Sequence, residues 1–253
     1  MKQGFGRRRT ARRAMLLLLS ALLLLTGCSF QLPGTKVGGA DGRECRDKTS
    51  ILEYAPVLRW NGILYTSIGD REDTSFVQPG HKIGQIGYKL SDHACKDYVM
   101  QDGDATLLEI GTELFEVKGY KQSFRLLAGG QLYQVSENKA VDTIGDLYDI
   151  TGRIKNIRFI SGNDGSPLKD FTPEAVAAFA EEYVKLNVVD RMTIAKQTKN
   201  LAGGSYSLQV ILEDGSSFGV GYWIKFGVLS PGAYATDGLK QLVEEQRKLI
   251  YTK

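Results

Sequence analysis

Histidine is almost missing from this chain of 253 residues: only His81 and His93 occur. A Ser-His-Asp or Cys-His catalytic site needs an imidazole as base, so little room is left for either. The chain also lacks a Gly-x-Ser-x-Gly elbow, a phosphate-cradling P-loop and a Gly-x-Gly-x-x-Gly fingerprint. Ser136-Glu137-Asn138-Lys139 has the Ser-x-x-Lys spacing of some acyl-transfer enzymes. It ends a predicted strand and has no Lys-Thr-Gly partner, so it reads as structural. No apolar run reaches the roughly 20 residues of a spanning helix. The longest, Ala14 to Leu25, is 12 residues and is broken only by Ser20.

That run has a particular setting. Lys2, Arg7, Arg8, Arg9, Arg12 and Arg13 precede it without one acidic residue, and Leu25-Thr26-Gly27-Cys28 follows. A basic head, a short apolar core and a small-residue exit describe a secretory signal peptide over residues 1–27. The motif after the arginine pair is not that of the twin-arginine route, which favours general secretion. Leu-Thr-Gly-Cys resembles a bacterial lipobox, which implies that Cys28 receives a diacylglycerol and becomes the first mature residue. Two or more acyl chains suffice for stable anchoring. The expected location is the extracytoplasmic face of the bacterial cell membrane, with membrane lipid as the partner of Cys28.

The basic excess belongs to the leader. The whole chain has 32 basic and 29 acidic residues; without the six basic residues of the leader the balance is 26 to 29, formally −3. No basic stripe remains to follow a phosphate backbone, so nucleic acid is not expected as a partner. Residues 28–44 hold Pro33, Gly34, Gly38, Gly39 and Gly42 and read as a flexible tether. With Cys28 acylated, Cys45 and Cys95 remain. An even pair in an exported chain suggests a disulfide. Two separate thiols, or a metal site built with His93, are the alternatives. Neither a metal nor a cofactor is expected.

Beyond the tether the expected fold class is α+β, in two modules. Residues 45–140 read as mostly β. Val57 to Trp60 and Ile63 to Thr66 flank Asn61-Gly62, a type I′ hairpin signal. Lys82 to Leu90 reads as a strand, as does Thr112 to Lys118 with Phe115 and Val117 inward. Phe124 to Leu127 and Leu132 to Val135 flank Gly129-Gly130 as a second hairpin. Residues 141–253 read as an antiparallel sheet with two helices. Thr172-Pro173-Glu174 announces the first helix through its cap, its proline and its acid. Val176, Phe179, Ala180, Tyr183 and Val184 give it one apolar face. Leu208, Val210 and Leu212, then Asp214-Gly215, then Phe218, Val220 and Tyr222 describe the clearest hairpin. The last helix runs from about Thr236 to Leu249.

Four carboxylates invite a chemical reading. Asp102 and Asp104, with Glu113 at the twelfth place, mimic a calcium loop, but Leu107 replaces the glycine of the sharp turn. Glycoside hydrolysis needs two acids in a cleft, and Asp102, Asp104, Glu109 and Glu113 are the candidates. Trp223 follows Tyr222 on what should be the opposite face of one strand, beside Gly219 and Gly221. An outward indole there can stack on a sugar ring or anchor a partner; cover by a helix is the plainer alternative. Trp60 poses the same question.

The stretch Asp102-Gly103-Asp104-Ala105, then Gly111-Thr112, Val117-Lys118-Gly119-Tyr120 and Ser123-Phe124-Arg125-Leu126 resembles a segment of an exported lipoprotein family of Gram-positive bacteria. The resemblance implies a surface lipoprotein and brings no activity, so no catalytic residue is carried over. The reading that follows is a non-enzymatic binding module at the cell envelope. Its partner would be an envelope protein or a cell-wall component, and Asp102, Asp104 and Trp223 are its candidate surface. The alternatives are an accessory subunit of a membrane complex and a carboxylate wall hydrolase.

Overall fold

The structure is a computed structural model that describes residues 55–69, 76–93 and 98–251. The described residues belong to one compact unit. The fold is α+β and is built on two sheets.

Sheet one contains β1 (Val57–Trp60), β2 (Ile63–Ser67), β3 (Pro79–Gln85), β4 (Tyr88–Lys89), β5 (Asp104–Ala105), β6 (Glu113–Val117), β7 (Arg125–Ala128) and β8 (Gln131–Glu137). Their order is β3-β6-β7-β8-β2-β1-β5-β4. Local turn chemistry sets two of the hairpins. Asn61 and Gly62 have φ of 50° and 76°, and Gly129 and Gly130 have 57° and 77°. Paired positive φ angles are the type I′ geometry that matches strand twist. A one-turn helix, α1 (Leu90–His93), follows β4.

The two ends of this strand order are nearly the same stretch of chain. Only Ile86 and Gly87 separate β3, which pairs with β6, from β4, which pairs in parallel with β5. Ile86 donates its N–H to Thr112 O at 2.9 Å, and Gly87 donates to Gly103 O at 2.8 Å. The sheet therefore curls back on itself. Leu58, Tyr65, Ile86, Leu114 and Leu126 are fully buried. Phe115, expected inward, is half-buried; Leu114 and Val117 take the core positions. The reason lies in the neighbouring strand. The β3–β6 register shifts twice, once between Pro79 and Lys82 and again between Lys82 and Gly84. Each shift breaks the strict alternation of faces.

Sheet two contains β9 (Ile154–Ile160), β10 (Pro167–Asp170), β11 (Ser205–Leu212), β12 (Ser217–Trp223), β13 (Val228–Leu229) and β14 (Ala233–Tyr234). It is antiparallel throughout, in the order β10-β9-β11-β12-β13-β14. The edge strand β10 is exposed along its length and carries Pro167, Lys169 and Asp170, which discourage pairing. The β11–β12 turn closes with Gly215 N donating to Leu212 O at 3.0 Å, and Gly215 takes φ 87°.

The expected helices are α3 (Pro173–Tyr183) and α5 (Asp237–Lys248). Thr172 caps the first by accepting from Ala175 N at 3.3 Å, and Thr236 caps the second by accepting from Leu239 N at 3.0 Å. The two pack together, and α3 lies on β9. Phe179, Tyr183, Leu239 and Val243 are fully buried; each contributes roughly 2 kcal/mol of burial. Three helices were not expected: α1, α2 (Ile144–Leu147) and α4 (Arg191–Thr198). In α4 only Ile194 and Thr198 are buried, so it shows no apolar stripe.

The boundary near residue 140 separates the strands of the two sheets, yet one apolar cluster runs through both. It includes Tyr133 and Val135 of β8, Tyr148 of the connection and Phe218 of β12. Phe124, Tyr148 and Phe218 meet ring to ring at 5.3 to 6.4 Å.

One position tests the curling of sheet one. The Trp60 ring lies directly against the backbone of Gly84, although β1 and β3 stand far apart in the strand order. A methyl group at Gly84 would overlap Cη2 of that ring. Gly84→Ala should therefore cost about 1–3 kcal/mol by overpacking. Urea titration followed by tryptophan emission measures it, and an unchanged midpoint would show that the ring does not seal this seam.

Candidate functional site

A groove of about 780 Å³ lies between the two sheets. One wall is the end of β2 with the residue after it and the second half of β8: Thr66, Ser67, Ile68, and Gln134 to Glu137. The other is α4 with its following turn, together with Gly219, Trp223 and the Val228–Gly232 segment. Tyr148 also lines it. The volume falls in the usual range of small-ligand sites.

The position of both walls depends on Arg125. This residue is 0 % exposed. Its Nε and Nη2 donate to Gln134 Oε1 at 3.2 and 3.1 Å, and its Nη1 donates to Ser216 Oγ at 2.7 Å. Its guanidinium carbon lies 4.6 Å from the Phe124 ring centroid and 4.9 Å from that of Tyr120. Ser216 in turn donates from Oγ to Asp214 Oδ1 at 2.7 Å, and Tyr120 donates from its hydroxyl to Asp214 Oδ2 at 2.8 Å. A buried cation is tolerable only when hydrogen-bonded and neutralised. Here the neutralising carboxylate acts through one serine. Gln134 belongs to β8 and lines the groove, while Ser216 leads into β12. One side chain thus ties both walls.

The electrostatics follow the geometry. Burial works against the charge on Asp214. The hydrogen bonds from Ser216 and Tyr120, helped by Arg125, outweigh it and hold the carboxyl below its ordinary value. Burial pushes the Tyr148 phenol up, against Gln134 and Arg125, so it stays neutral.

Around the rim, three consecutive residues other than glycine take left-handed backbone. Lys199, Asn200 and Leu201 have φ of 50°, 62° and 56°. Such residues cost roughly 1–2 kcal/mol each, less for asparagine. Thr198 holds the turn by donating from Oγ1 to Ile194 O at 2.7 Å and accepting from Leu201 N at 3.0 Å. Asn200 and Leu201 are thereby placed on the groove. Backbone strain concentrates at functional sites.

Of the candidate surface residues, Trp223 lines this groove. Its ring is backed by Gly221, where a Cβ would come within 3.0 Å of it. Asp102 instead accepts from Gly62 N at 2.8 Å and sits 3.6 Å from Arg59, stabilising the first hairpin turn. Asp104 is buried, and its Oδ2 accepts from the Tyr98 hydroxyl and from Gln101 N, both at 2.6 Å. Glu109 pairs with Lys89 and Glu113 with Lys82, each at 2.6 Å. The four carboxylates named for hydrolysis are thus each tied to a separate structural partner. Among the described residues, no group of three or more His, Cys, Asp or Glu could hold a metal ion. Cys28, Cys45 and Cys95 lie outside the described residues.

Sequence reasoning missed Arg125, Gln134, Asn200 and the wall formed by α4. The only local signals were Asp190, which caps α4 by accepting from Met192 N and Thr193 N at 3.0 Å, and the Lys199-Asn200 pair at its end. Comparison of the chain with family models, with curated proteins and with solved structures gave no match.

Two predictions concern the tie between the walls. Arg125→Ala strands Gln134 and Ser216 and leaves the Asp214 charge poorly matched. It should destabilise the fold by about 3–5 kcal/mol, the range for breaking a buried ionic network; chemical unfolding reads this directly. Because the folded pKa of Asp214 is lowered, its contribution is complete above the ordinary aspartate value near 3.9 and is lost as pH falls through the folded value. Asp214→Asn should therefore flatten the acid limb of the stability profile. A mutant profile parallel to wild type below pH 4 would contradict this.

Proposed function

We propose that this chain is an exported lipoprotein, held by acylated Cys28 on the extracytoplasmic face of a bacterial membrane. There it works as a non-enzymatic binding module whose ligand enters the groove between the sheets. The observation that carries the address is Leu25-Thr26-Gly27-Cys28 directly after a basic head and a 12-residue apolar run. Among the described residues no helix is long and apolar enough to cross a membrane. The binding role rests on the groove, with its half-buried indole and strained rim. The candidate carboxylates are bound into turns and ion pairs, which supports binding over hydrolysis.

Both halves of the reading can be tested in cells. An alkyne-tagged fatty acid should label the wild-type chain and leave Cys28→Ala unlabelled, and the variant should leave the washed membrane fraction. Equal labelling of both would end the anchoring claim. A photo-activatable side chain placed at Met192, at 65 % exposure on the groove rim, should capture a ligand on intact cells. The same probe at Asp102 should not. Capture at neither position, or equally at both, would end the groove as the binding site.

A further inference from the structure

The lining of the groove narrows the chemistry of what it takes. Every strand on its walls is internal to its sheet. β8 lies between β7 and β2, β2 between β8 and β1, β12 between β11 and β13, and β13 between β12 and β14. No open strand edge therefore faces the groove, and a peptide cannot bind there by adding a strand. Recognition has to come from side chains. The charged ones are few: Glu137 and Asp190 against Arg191. Asp190 caps α4, and Glu137 stands 3.6 Å from Lys139. Arg191 is a single opposing cation on the rim. Such a lining carries a single net negative charge, too little to select a polycation, and it offers a polyanion only Arg191.

What remains is neutral. Thr66 and Asn200 bring a hydroxyl and an amide to the lining, and Ile68, Met192 and Leu201 bring aliphatic side chains. Trp223 supplies a flat indole. Its position has a structural cause. Gly219, Gly221 and Trp223 alternate with buried Phe218, Val220 and Tyr222, so they share the face of β12 away from the core. A side chain at Gly221 would collide with the indole, whereas Gly219 has open space before it. The missing side chain at Gly221 makes room for the far end of the indole, and Gly219 leaves open space beside it. A flat aromatic shelf with neutral donors and acceptors around it matches a pyranose ring, which offers an apolar C–H face and a polar rim.

We infer that the groove binds a neutral N-acetylated glycan, one sugar ring stacked on Trp223 and the acetamide set between Asn200 and the aliphatic residues of the rim. This inference rests on the binding-module reading and names its ligand class.

The probe is a tetramer of β-1,4-linked N-acetylglucosamine, titrated into the detergent-solubilised full chain while tryptophan emission is followed. Saturable change is expected. Trp60→Phe should retain the change, since Trp60 packs on Gly84 rather than in the groove. Trp223→Ala, followed by calorimetry, should bind about tenfold more weakly or not at all, and Trp223→Phe should recover part of the loss. Matching urea midpoints would show that these variants are folded. No saturable change with wild type, or equal binding by Trp223→Ala, overturns the glycan. Capture of a protein at Met192 in cells together with silence toward the tetramer would overturn the glycan alone and leave the binding module standing. Silence in both experiments would remove both.

Discussion

The arrangement of the two sheets depends on one buried guanidinium. Arg125 sits on β7 directly opposite Gln134 in the sheet-one ladder and reaches Ser216 just before β12. Its charge cannot be hydrated where it is, so its position is set by where acceptors and rings are available. Gln134 takes two of its bonds, Ser216 a third, and Phe124 and Tyr120 lie against its faces. The counter-charge on Asp214 is fixed by the tight turn after β11. A shift of one sheet against the other would strand several polar atoms at once. An apolar contact of the same area would tolerate sliding; this one does not.

The rest of the architecture can be built outward from that tie. Sheet one needs a rigid frame if β8 is to hold Gln134 in place, and its frame comes from closure. The chain crosses from one edge of the strand order to the other within Ile86-Gly87, and Trp60 covers the seam at Gly84. Sheet two is stiffened differently, by α3 and α5 packed against each other. Glu182 accepts from the Thr236 hydroxyl, and Gln246 accepts from Thr172 N at 3.0 Å, so each helix helps hold the start of the other. Tyr183 then donates its hydroxyl to Ser230 O at 2.9 Å, and Ser230 accepts from Gly221 N with its Oγ. The helical layer is thereby connected through the sheet to the backbone beside Trp223.

Features that rest on local chemistry were legible in the sequence. Asn61-Gly62 and Gly129-Gly130 demand positive φ angles whatever surrounds them. Thr172-Pro173 and Thr236 start helices through bonds that span three residues. The alternation of Leu208, Val210 and Leu212 survives because β11 is central and one of its faces meets the core. Features that depend on distant partners were not legible. Nothing in the neighbourhood of Arg125 announces that it is buried, because its acceptor at Ser216 lies 91 residues away. The inward face of β6 was misjudged because the shifts in register come from β3. Helix α4 escaped notice because it is held by caps and by Thr198 rather than by an apolar stripe. Of the candidate site, Trp223 and its flanking glycines could be seen, but the opposite wall could not.

A groove survives in a folded chain only where packing has been prevented from closing it. Here several features act against closure. Arg125 holds the β8 and β12 regions at a fixed separation through Gln134 and Ser216. The left-handed run at Lys199, Asn200 and Leu201 turns the chain away after α4 when glycine would have made the same turn with less strain. Gly219 leaves open space where any larger residue on that face of β12 would begin to fill it. Each choice gives up stability that an ordinary core residue or an ordinary turn would supply. Such departures from local consistency are expected where a surface is kept for a ligand. On the binding role proposed above, their convergence beside Trp223, on strands held rigid from both sides, favours a preformed site over one assembled on binding, because the indole and its polar rim are already in place.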